Sequence, residues 1–471
     1  MSGVGVRPYA ELTFDADADV DVRQRDVLLR MEATDLLVFS HGWNSDRSVA
    51  TGLYDRFFAP FPQLAGPGVR LGYVGVLWPS MRFSDEPIPD FGARGLLPTG
   101  ATGPGLDAET RAALGRFWPG REAELNRVTA LLSGPEPGPG AYEELGALVR
   151  LLAGIPEPRR TGAGAGAGSD PDPDDPDAGA VAVAGAVGQA GAAGAAGAPV
   201  PALFGPDTAA ACADLADALA GTAGDGTAPA SPPAATAALP AAPPGSAAPE
   251  LLGGLRKGGR ELLRQATYYT MKKRAGVIGE QGLGPLLGRL ARERPQVRVH
   301  LIGHSFGARL VSFSLRGLPA EARNVASLTL LQGAFSHYAF AESLPHDKGR
   351  GGALAGLQRR VSGPVVCCHS RHDAALGTFY PLASRLARDS ASLLGSDPRW
   401  GAMGHGGIQA VPGTVRLTLD AALRGGLPGR GCVSVDAAGV VRDGGAPSGA
   451  HSDICHPELA RVVAAAGRIG G

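Results

Sequence analysis

Cysteine is scarce in this chain. There are five in 471 residues, Cys367 and Cys368 are adjacent, and no Cys-x-x-Cys pair occurs. That excludes a disulfide framework and argues against a zinc ribbon or a dithiol redox pair. An excess of either charge is missing as well. Lys plus Arg number 44 and Asp plus Glu 45, a net charge of −1, so no global basic field exists to hold a nucleic-acid backbone. The first 30 residues carry Asp15, Asp17, Asp19, Asp21 and Asp26 and lack the apolar run of a secretory signal peptide. The one long uncharged stretch, residues 178–206, is nearly all Ala and Gly. Those side chains bury too little apolar area to drive membrane insertion, so no transmembrane segment is expected and the cytoplasm is the default location.

Glycine and proline, by contrast, are abundant at 71 and 39 residues, and they are unevenly spread. Residues 161–250 hold 33 Ala, 15 Gly and 13 Pro, no Lys or Arg, and a single aromatic residue, Phe204. Such a segment cannot bury enough apolar surface to offset its ordering entropy. The composition predicts a disordered insertion there, with a short helix near Thr208–Leu219 as its one ordered piece. Residues 1–160 and 251–471 then combine into one α/β domain, the first with an irregular excursion after Trp78.

Continuous apolar runs mark strands buried on both faces, as in a parallel sheet. Asp35–Ser40 and Val69–Leu77 are such runs, and Val4–Phe14 reads as strand-like. The second segment alternates cleanly. Helices are expected over Leu255–Arg274, Leu283–Glu293, Ala308–Leu315, Leu382–Leu394 and Pro457–Ala465, and strands over Val297–Ile302, Ser327–Leu331, Val365–Cys368 and Val433–Asp436. That alternation predicts a mostly parallel central sheet covered by helices on both faces.

Gly303-His304-Ser305-Phe306-Gly307 is a G-x-S-x-G sequence set between an expected strand and an expected helix. In that context the two glycines allow a tight strand-to-helix turn that exposes the Ser305 hydroxyl at a helix N-terminus. His41-Gly42-Trp43 follows the strand ending at Ser40. A glycine there lets the chain turn so that main-chain N–H groups, those of Trp43 and Phe306, can serve as an oxyanion hole. Acyl transfer also needs a base and a group that orients it. Asp373 lies just after the strand ending at Cys368, in His369-Ser370-Arg371-His372-Asp373. Two histidines near the C-terminus, His451 and His456, are candidates for the base. His451 is favoured because it sits in a Gly/Pro/Ser loop, whereas His456 abuts the helix that Pro457 opens. A metal site built on His369, His372 and Asp373 is disfavoured, since these residues have no helical setting and no evident partner cluster.

In this order, Gly303–Gly307, His41-Gly42-Trp43, Asp373 and His451 resemble the α/β-hydrolase family. The resemblance covers the two ordered segments and not residues 161–250. It implies an eight-stranded, mostly parallel sheet and a Ser-His-acid triad of Ser305, His451 and Asp373. It also implies cleavage of a carboxylic ester or related acyl bond in a small or lipid-like substrate, with no cofactor or metal. Many relatives carry a cap after the sixth strand, whereas here the long excursion precedes the nucleophile. Trp43, Phe83, Trp118, Phe335, Tyr338 and Phe340 are candidates for an acyl-binding surface, although such residues more often belong to a core. The alternative reading is a non-catalytic scaffold of the same fold, with residues 161–250 as a partner-binding arm.

Overall fold

The computed structural model describes residues 3–43, 45–81, 83, 106–134, 140–155, 202–222, 247–379, 401–445 and 448–470. Its centre is one eight-stranded sheet in the order β1-β3-β2-β4-β5-β6-β8-β7. The strands are β1 (Tyr9–Thr13), β2 (Asp35–Ser40), β3 (Leu71–Leu77), β4 (Arg298–His304), β5 (Val325–Leu331), β6 (Pro364–His369), β7 (Val415–Thr418) and β8 (Gly431–Asp436). Every neighbouring pair is parallel, so the sheet is more uniform than the mostly parallel one expected.

The continuous apolar runs divide by alternation between two cores. Leu36 and Val38 of β2 and Leu301 of β4 face one side, with Leu28 of α1 (Val22–Arg30), Leu287 of α9 (Gly284–Glu293) and Leu310 of α10 (Phe306–Gly317). Leu37 and Phe39 of β2 and Ile302 of β4 face the other. There they meet Phe57 and Phe58 of α2 (Arg47–Phe58), Phe61 of the short α3 (Phe61–Leu64) and Val463 of the C-terminal helix (Pro457–Gly467).

Between β3 and β4 the chain builds a helical layer from α4 (Ala108–Phe117), α5 (Glu122–Ser133), α6 (Ala141–Ala153), α7 (Thr208–Thr222) and α8 (Ala247–Val277). A π-helical turn, Ile278–Leu283, links α8 to α9. The one helix expected in the low-complexity block, near Thr208–Leu219, is present as α7, and the structured stretch is longer than expected, residues 202–222. Leu203, Phe204, Cys212 and Leu215 there are buried in the same core as Leu145, Leu262 and Leu263. The cause is local: the few large apolar side chains of the block cluster there, enough to dock one helix. Arg150 ties the segment further, donating from Nη1 to the carbonyls of Phe204 at 3.4 Å and Gly205 at 3.1 Å. Residues 161–201 and 223–246, and the helix expected over Leu382–Leu394, lie outside the described residues. No helix among the described residues is long and apolar enough to cross a membrane.

The strand order sets the place for a site. From β2 the chain turns to β3 on one side, and from β4 it continues to β5 on the other. Connections that depart in opposite directions leave a crevice at the carboxyl ends of the two strands, where ligands bind in open α/β sheets. The segments that follow β2 and β4 there are His41-Gly42-Trp43 and Ser305.

Candidate active site

Ser305 occupies the turn between β4 and α10 with φ 56° and ψ −122°, a left-handed conformation that a non-glycine residue adopts only when its surroundings impose it. Three main-chain hydrogen bonds impose it. Ser305 N–H donates to the Leu331 carbonyl at 3.1 Å, and the Ser305 carbonyl accepts from Ala308 N–H and Ala334 N–H, each at 3.1 Å. The flanking glycines allow the close packing. A Cβ at Gly303 would lie 2.4 Å from Ala308 Cα, and one at Gly307 2.1 Å from the Ser40 carbonyl oxygen.

The hydroxyl so presented meets His451. Ser305 Oγ is 2.9 Å from His451 Nε2, and His451 Nδ1 is 2.8 Å from Asp373 Oδ2. Asp373 is fully buried, and its other oxygen, Oδ1, accepts the Leu376 N–H at 3.0 Å. The carboxylate takes the hydrogen on Nδ1, which leaves the Nε2 lone pair for the serine hydroxyl. The three side chains come from three separate connections: after β4, after β6 and after β8. The last two are stitched together by the main chain. Asp373 and Gly449 form an isolated antiparallel bridge, Ala450 N–H donates to the His372 carbonyl at 2.9 Å, and Ala375 N–H donates to the Ser448 carbonyl at 3.1 Å. The loop carrying His451 is thereby tied to the loop carrying Asp373.

His456 is placed elsewhere. It caps the C-terminal helix, and its Nε2 pairs with Asp453 Oδ1 at 2.7 Å. Among the described residues no group of three or more His, Cys, Asp or Glu side chains is placed to hold a metal ion, so His369, His372 and Asp373 do not form one. His372 N–H is held by Ser370 Oγ at 3.1 Å, and burial holds the His369 imidazole below its ordinary pKa.

The turn after β2 lies against the serine, with the Gly42 main chain packed on the Ser305 side chain. His41 fixes this turn, a role the sequence did not disclose. Its ring is buried and stacked on Trp78, with centroids 5.5 Å apart and planes 14° apart, and burial pushes its pKa down to about 4. His41 Nδ1 lies 2.8 Å from the Gly42 carbonyl oxygen, so the neutral ring donates there. In a trans peptide the N–H points opposite to the C=O. Tying the Gly42 carbonyl to His41 thus turns the Trp43 N–H away from His41. Tyr54 and Trp78 secure His41 itself: its N–H donates to the Tyr54 hydroxyl oxygen at 3.0 Å, and Trp78 Nε1–H donates to its carbonyl at 3.1 Å. The second expected donor, Phe306 N–H, belongs to the first residue of α10 and so has no acceptor within the helix.

Of the aromatic residues considered for a binding surface, Phe83, Trp118, Phe335 and Phe340 are core residues, and Tyr338 packs with Ala341 and Leu344. Trp43 alone is half-buried. Its ring lies 5.4 Å from Tyr268 of α8 and 6.4 Å from Phe306, so the helical layer reaches the turn beside the serine.

Compared with family models, with curated proteins and with solved structures, the chain matches none.

Proposed function

We propose that this protein is a serine hydrolase of the α/β-hydrolase type that cleaves a carboxylic ester or related acyl bond. The reading rests above all on one observation, the continuous relay Ser305 Oγ–His451 Nε2–His451 Nδ1–Asp373 at 2.9 Å and 2.8 Å. Its setting at the topological crevice, on a strained strand-to-helix turn, supports it further.

In this mechanism His451 Nε2 takes the Ser305 proton as Oγ attacks the acyl carbonyl. Asp373 holds the imidazole in the reactive tautomer and stabilises it once protonated. The Trp43 and Phe306 N–H groups receive the negative charge that develops on the carbonyl oxygen. The imidazolium returns its proton to the departing alcohol, leaving an acyl group on Ser305. Water then gives its proton to His451 and attacks the acyl-enzyme, which releases the acid and restores the hydroxyl.

The test is hydrolysis of a panel of p-nitrophenyl esters of graded acyl length by the purified protein and by Ser305→Ala. Turnover by the wild type and none by the variant is expected. Turnover that survives Ser305→Ala contradicts the assignment of the nucleophile. Absence of turnover and of active-site labelling in the wild type favours a scaffold.

A further inference from the structure

A second imidazole lies beside the relay. His304, the last residue of β4, is buried, and its Nε2 is 2.9 Å from the main-chain carbonyl oxygen of His451. The two rings stand 5.1 Å apart at 42°. A carbonyl can only accept, so the hydrogen sits on Nε2 and His304 is the donor. Burial first, and then the neighbouring His451, pushes the His304 pKa down to about 3, which keeps the ring neutral.

We propose that His304 is a positioning residue that fixes the peptide of His451, and with it the distance between base and nucleophile. The proposal rests on the reading of Ser305 and His451 as nucleophile and base. Upstream of His451, the loop is pinned to the Asp373 side through Gly449 and Ala450. Those links set the base against its acid and not against Ser305. His304 supplies the missing constraint because it and Ser305 are consecutive residues. Any drift of the His451 main chain away from the serine stretches the hydrogen bond from His304. The donor and the nucleophile share one turn, which Leu331 and Ala334 already hold rigid.

Three variants separate positioning from packing. His304→Phe keeps a buried ring and removes the donor. His304→Gln sets an amide nitrogen near the place of Nε2. His304→Met has the reach of Gln without a donor. The Phe and Met variants are expected to lose about ten- to a hundredfold in kcat with KM little changed, the scale of a buried carbonyl left unpaired. The Gln variant is expected to recover most of the loss. Wild-type kcat in the Phe variant, or equal losses in the Gln and Met variants, overturns the proposal. Should the Phe variant fail to fold, the Gln and Met pair decides alone.

A readout independent of turnover distinguishes failure of this proposal from failure of the hydrolase reading. The 15N NMR shift of His451 Nε2 reports whether the Ser305 hydroxyl donates to it. It should match the wild type in His304→Gln and move toward that of an imidazole nitrogen without that donor in His304→Met. An unchanged Nε2 shift in His304→Met overturns the proposal, whether or not the protein cleaves esters.

Discussion

Gly42 and Ser305 are in such close contact that a Cβ on Gly42 would lie 2.5 Å from the Ser305 Cβ and 3.1 Å from its Oγ. No side chain larger than hydrogen fits there without moving the serine or the turn after β2. Gly42→Ala should therefore lower kcat/KM by at least about 10²-fold, the scale of losing one oxyanion donor. Circular dichroism should show the fold retained. Wild-type turnover in that variant would mean that the turn has no part in the reaction.

Asp373 acts on Ser305 only through His451. Asp373→Asn leaves a side chain of the same shape but reverses the hydrogen bond to Nδ1, and it should cost about 10³- to 10⁴-fold in kcat. His451→Ala should cost as much or more, and combining it with Ser305→Ala should add nothing further. His456→Ala should leave turnover intact, because His456 is engaged with Asp453. If His456→Ala abolished turnover while His451→Ala spared it, the base would have to be reassigned.

Acid stability should depend on a buried pair at the opposite end of the sheet. His300 Nε2 lies 2.9 Å from Asp35 Oδ1, and its Nδ1 lies 2.9 Å from Ser327 Oγ. Burial holds the His300 pKa below its ordinary value. Burial alone would raise that of Asp35, but hydrogen bonds from His300 and Thr34 and the charge of Arg298 outweigh it and hold the carboxylate low. Both groups therefore bind protons more readily in the unfolded chain than in the native one. Stability from this pair should be complete above pH ~6.5 and fall as pH drops, first through the His300 difference and then through that of Asp35. Urea titrations from pH 8 to pH 4 should show this decline, and His300→Gln should flatten its upper part. An unfolding free energy independent of pH over that range would contradict the assignment.

The docked segment 202–222 makes a prediction opposite to the one its composition suggests. Leu215 is 2% exposed, so Leu215→Ala should cost about 2–5 kcal/mol. Replacing residues 161–250 with a short Gly/Ser linker should lower the melting temperature, because it uncovers Leu145 and Leu262. An unchanged melting temperature would show that α7 contributes nothing to the core.

Seven of the eight strands are legible in the sequence as uninterrupted or nearly uninterrupted apolar runs, or as a clear strand-like segment next to one, because a parallel sheet buries both faces. β7 is not, since this edge strand has four residues and only Leu417 is even partly buried. α1 hides behind its aspartates, although Asp21 caps it by accepting from Arg23 N–H and Gln24 N–H. α5 lies in a stretch that reads as irregular, yet Leu125, Val128 and Leu132 are spaced for one helical face and are buried. Chain order and strand ends lead to Ser305, Asp373 and either His451 or His456. The preference for His451 over His456 follows in the fold from the bridge between Gly449 and Asp373, a pairing of two loops that no local pattern encodes. The ties made by His41 and His304 are equally silent, because each ends on a main-chain carbonyl. Such an acceptor has no side-chain identity to read.

The central claim is that Ser305 is a nucleophile activated by His451. Its most direct test is intact-protein and peptide mass spectrometry after exposure to a fluorophosphonate. The account predicts one phosphonyl adduct per chain, mapped to the peptide containing Ser305, absent in Ser305→Ala and strongly slowed in His451→Ala. An unmodified wild-type chain, or an adduct on any other residue, would contradict it.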